Sequence, residues 1–73
     1  MTKPLTTAQV LSGTKPANRD HACFTATVLG SQLSAMSARL ADENDARKAS
    51  ILRAKAGRLE TAIGILSTWA DVL

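Results

Sequence analysis

Apolar residues recur at alternating spacings of four and three along two stretches of the chain. The first row is Ala22, Ala26, Leu29, Leu33, Met36 and Leu40; the second is Leu52, Ala56, Leu59, Ile63, Leu66, Ala70 and Leu73. A repeat averaging 3.5 residues keeps side chains on one stripe of an α-helix, as in a coiled-coil seam. The two rows are not one stripe. Leu40 and Leu52 are twelve residues apart, which leaves them ~120° apart around a continuous helix. Asp42, Glu43, Asn44 and Asp45 fill the gap. Such residues cap helices, and acids favour the N-terminus of the helix that follows. The pattern predicts an all-α chain, an antiparallel two-helix hairpin over residues 19–73 that turns at 41–45. No Gly or Pro marks the turn, so a single bent helix is the alternative. Asn18 or Asp20 is placed to cap the first helix near Arg19.

Residues 1–18 read differently. Thr, Lys, Pro and Gly are frequent, and Pro4, Gly13 and Pro16 break any regular element. The expectation is a flexible N-terminal arm. Within it, Thr6 and Gln9 have the spacing of a capping box, Leu5 and Val10 that of a hydrophobic staple, and Gly13 suits a helix end. At most a short helix over roughly 7–12 is expected there, docked or absent according to context.

Folding the chain at 41–45 brings the start of the first helix beside the end of the second. Both ends are unusually apolar. Phe24 and Val28 widen one face, and Ile65, Trp69 and Val72 the other, with Ala62 extending that row. Burying three such side chains is worth ~5–8 kcal/mol in total. Two helices have no second layer to do so. The cover is then the arm through Leu5, Val10 and Leu11, a second copy, or another protein. Ala62, Ile65, Trp69, Val72, Phe24 and Val28 are the expected partner-binding residues, with Trp69 as anchor because interface hot spots are enriched in tryptophan.

Composition sharpens this reading. With 73 residues the chain is one domain of marginal size, of the kind that needs a partner, an oligomer or a staple. Its hydrophobic fraction of 45% is too high for a disordered chain. Aromatics are few, so the core is aliphatic and rich in alanine, which favours helix. One cysteine excludes an internal disulfide, and one histidine with one cysteine cannot supply a zinc site. No metal or cofactor is expected. His21 and Cys23 are two apart and do not face each other on a helix, and no third group completes a nucleophilic site. A surface His and a half-buried Cys are expected instead, in a non-enzymatic protein. No signal peptide and no apolar run near the ~20 residues of a membrane span is visible. The end around Ile63 and Trp69 is flanked by the acids Glu60 and Asp71, unlike an interfacial helix. A cytoplasmic protein without membrane contact is expected.

The net charge of +3 lies wholly in the first 19 residues; residues 20–73 carry six bases and six acids. Nucleic acid is therefore not the expected partner, although Arg47, Lys48, Arg53, Lys55 and Arg58 make one half of the second helix basic. Ser50, Ala54, Gly57, Thr61, Gly64 and Thr68 form a stripe of small residues on that helix, which either faces solvent or admits a close partner.

From Asp45 to Leu73 the chain resembles the C-terminal helix of the small type III secretion co-chaperones, the YscE/PscE group. The resemblance rests on Asp45–Ala46, Leu59–Glu60, Ala62–Ile63, Ile65–Leu66, Ala70 and Leu73, and runs ungapped over 29 residues. Before Asp45 only the pattern of an amphipathic helix is shared. The resemblance implies an antiparallel helical hairpin. It also implies a role in the bacterial cytoplasm, binding a helical-repeat chaperone and helping it to hold the needle subunit monomeric before export. Two alternatives stand beside it: an RNA-binding hairpin dimer of the Rop kind, and a small phage or plasmid inhibitor of a host protein.

Overall fold

The computed structural model describes residues 3–73. They form three α-helices: α1 (Thr7–Leu11), α2 (Arg19–Asp42) and α3 (Ala46–Val72). No strand occurs among the described residues, so the chain is all-α. Helix α3 packs against both α2 and α1.

Each helix is bounded by side chains that complete its unpaired backbone groups. Thr6 Oγ1 accepts from the Gln9 N–H at 3.2 Å, and Gln9 Oε1 accepts from the Thr6 N–H at 2.9 Å, a complete capping box. At the other end of α1, Gly13 takes φ +97°, where an L side chain is strained. The Gly13 N–H then reaches the Val10 carbonyl and the Thr14 N–H the Gln9 carbonyl. This paired closure is a Schellman motif. Asn18 caps α2 by accepting from the His21 N–H at 2.8 Å. The break after α2 spans only Glu43, Asn44 and Asp45. Glu43 Oε1 accepts from the Asp45 N–H, and Asp45 Oδ1 accepts from the Arg47 and Lys48 N–H groups to start α3. The helix is thus interrupted at the acidic cluster, where the two apolar rows fall out of phase.

The core cluster draws on all three helices: Val10 from α1, Leu29 from α2, and Leu59, Ala62 and Leu66 from α3. Leu5, Ala26, Leu33, Met36, Ile63 and Ile65 pack partly against it. Along α2, Ala22 and Leu29 of the expected row are fully buried, whereas Leu33, Met36 and Leu40 are half-buried. The uncovered part of the row is thus its later half, toward the turn. Residues 3–18, where composition led to the expectation of a mobile arm, are packed on the long helices. Val10 is only 1% exposed, and Pro16 is among the fully buried side chains.

The small-residue stripe on α3 faces outward. Ser50, Ala54, Gly57, Thr61, Gly64 and Thr68 are all exposed. Thr61 and Thr68 turn their hydroxyls back onto the Gly57 and Gly64 carbonyls. A Cβ on Gly57 or Gly64 would meet nothing within 4 Å, so neither glycine is required by packing within the chain. Gly57→Ala and Gly64→Ala are each expected to raise stability by about 1 kcal/mol, the helix-propensity difference. Urea titration followed by circular dichroism checks this; unchanged or lowered midpoints would refute it.

Candidate protein-binding surface

The apolar end of the long helices is built over by the N-terminal segment, which is fastened at four points. The Leu5 N–H donates to Thr25 Oγ1 at 3.2 Å. The His21 ring lies between two backbone groups. The Ala17 N–H donates to Nδ1 at 2.9 Å, so Nδ1 is unprotonated and the proton sits on Nε2, which donates to the Lys3 carbonyl at 2.8 Å. Val10 fills the cluster between α2 and α3. Lys15 Nζ lies 5.5 Å from the centre of the Trp69 ring, a cation–π contact worth ~0.5–1 kcal/mol at an accessible site.

These contacts sort the six expected partner-binding residues. Ala62 is 0% exposed and lies inside the core, so it cannot extend an outward row. The correction has a simple cause: α1 adds a second neighbour to α3 and widens the arc of that helix that is buried. Ile65 is half-buried and packs against the core. Trp69 is half-buried beneath Lys15, and Val28 is half-buried on α2. Phe24, at 48% exposed, and Val72, at 69%, remain open to solvent. Phe24 on α2 and Val72 on α3, with Leu73 next in sequence, are therefore the large apolar side chains at this end that stay open to solvent.

The polar positions also differ from expectation. His21 is buried at 9% exposure rather than on the surface, and Thr25 is fully buried. Cys23 is exposed, not half-buried. A histidine and a threonine four apart form one face of a helix. His21 has one partner nearby, the Ala17 N–H, but the groups that enclose the pair, the Lys3 carbonyl and the Leu5 N–H, lie 18 and 20 residues away in sequence. No local pattern marks them. Every buried side-chain nitrogen and oxygen among the described residues has a hydrogen-bond partner, so no orphaned group points to an absent ligand. Among the described residues no cluster of three or more His, Cys, Asp or Glu is placed to hold a metal ion. Among the described residues no helix is long and apolar enough to cross a membrane.

Comparisons with protein-family models, with curated proteins and with solved structures find no match to this chain.

Proposed function

We propose that this chain is a non-enzymatic, protein-binding helical hairpin that acts in the bacterial cytoplasm as a co-chaperone of type III secretion. In this reading it helps a helical-repeat chaperone to keep the needle subunit monomeric before export. The observation that carries the binding role is the exposure of Phe24 and Val72 on so small a chain, where large apolar side chains are candidates for a contact. The hairpin reading is supported by the three-residue link between α2 and α3. It is supported too by a long axis of 41 Å, about the ~40 Å length of a single helix of this size. The secretion role is supported by the resemblance of residues 45–73 to the YscE/PscE group. The contact comprises Phe24, Val28, Ile65, Trp69 and Val72, with Ala62 behind them in the core.

Co-expression with the helical-repeat chaperone and needle subunit of the same genome tests the reading. A stable complex is expected, weakened by about 2 kcal/mol or more in Trp69→Ala or Phe24→Ala. Folded variants that are captured as well as the parent would overturn the assignment of the contact, and no complex at all would overturn the secretion role. Structured RNA is expected not to bind with a steep salt dependence, because the charges of residues 20–73 cancel. A steep salt dependence lost in Arg53→Glu/Lys55→Glu/Arg58→Glu would favour the Rop-like alternative.

A further inference from the structure

A groove of about 600 Å³ runs beside α1, away from the apolar end. One face of α1 walls it through Leu11. Gln32 and Met36 of α2 and Lys55, Arg58 and Leu59 of α3 complete the lining. Its apolar groups come from all three helices, its two charged groups are both cations, and no carboxylate lines it. Ile51, 56% exposed, lies one turn before Lys55, so Ile51, Lys55 and Arg58 follow one another on a single face of α3. The α2 row alongside is half-buried at Met36 and Leu40, in contrast to Leu29 beneath α1. The chain thus seats one short amphipathic helix over α2 and α3 and leaves the adjoining part of the same surface open. The helix already seated, Thr7–Leu11, carries no charge. The open part differs from its site by having two cations on one wall.

We infer that this groove takes an acidic amphipathic helix of a partner protein. Leucine-type side chains of that helix pack on Leu11, Met36 and Leu59 beside α1, while its carboxylates face Lys55 and Arg58. The inference rests on the protein-binding reading above and adds a second contact to it, with its own charge preference. An apolar floor without an aromatic offers no platform for base stacking, and two cations are few for a phosphate backbone. A protein helix is therefore the occupant that the lining fits.

The test is selection, by the folded full chain, from a displayed library of amphipathic helices about four turns long, randomised to Glu, Gln or Lys at their polar positions. Enrichment of glutamate is expected. Synthetic copies of the selected helices should bind about tenfold more weakly to Lys55→Glu/Arg58→Glu, a loss that charge reversal across a contact can produce. They should bind without loss to Arg19→Glu/Arg53→Glu, which reverses as many charges elsewhere. All four of these bases are exposed, so the variants keep the fold. Leu11→Ser, also at an exposed position, should weaken binding without changing helix content. Failure to select a binder, selection of neutral or basic helices, or acidic helices indifferent to Lys55→Glu/Arg58→Glu would overturn the inference. So would a self-dimer abolished by the same double variant, or RNA that displaces the selected helix. A chaperone complex that depends on Trp69 and Phe24 but not on Lys55 and Arg58 would leave the proposed function standing and remove the groove from it.

Discussion

Val10→Asp is expected to destabilise the chain by at least ~3 kcal/mol, because it places a carboxylate among Leu29, Leu59, Ala62 and Leu66 with no partner. Either the charge is buried uncompensated or α1 leaves its site. In the second case the burial of Val10 itself, worth about 1.5–3 kcal/mol, is lost. The cluster residues on α2 and α3 lose their cover as well. A chain of this length has a total stability of only about 4–11 kcal/mol, so the loss is a large fraction of the whole. Leu11→Asp is the matched control. Leu11 is the next residue, is exposed, and lies outside the core cluster, so its change should stay within about 0.5 kcal/mol. Urea denaturation of the pair distinguishes the two sites. Equal, small losses in both variants would show that the N-terminal segment contributes nothing to the fold.

His21→Ala should cost about 1–3 kcal/mol, since two part-buried hydrogen bonds, each worth ~0.5–1.5 kcal/mol net, are lost together. Their backbone partners are the Ala17 N–H and the Lys3 carbonyl, so the substitution unfastens both ends of the N-terminal segment at once. Amide exchange gives a sharper reading than a melt. The Ala17 amide should lose its protection together with the Leu5 amide, which is held by Thr25 nearby on the same face of α2. Amides in the middle of α3 should exchange much as before. Retained protection at Ala17 in the variant would mean that the imidazole is not what holds the segment.

Both substitutions act at contacts that join distant parts of the chain, and the sequence alone located only one of the two positions. Val10 was legible as half of a hydrophobic staple, with Thr6, Gln9 and Gly13 around it. His21 read as a surface side chain because its bond to the Ala17 N–H follows no recognised motif and its other partner, the Lys3 carbonyl, is 18 residues away. Trp69 was legible as a prominent apolar side chain but not as the partner of Lys15, a cation–π pair that spans most of the chain.

The sequence by itself determined that the chain is helical, where the two long helical stretches lie, and the capping signals of a short helix near 7–12. A capping box, Asn and Asp caps and a left-handed glycine act through bonds between residues two to five apart, so their signals are local. It also determined that the long helix is interrupted near 42–45, since the two apolar rows cannot share one stripe. Tertiary structure alone decided which flanking positions lie inside. In projection Ala62 lies on the flank of the stripe, ~60° from Leu59 and ~40° beyond Leu66, and a two-helix reading leaves it free to face outward. The docking of α1 encloses it, because a third helix widens the buried arc of α3. The same docking buries His21 and Thr25, whose hydrogen bonds need Lys3 and Leu5, and it sets the uncharged site of α1 beside a groove walled by Lys55 and Arg58. Contacts between residues so far apart have no period, and only the packed chain brings them together.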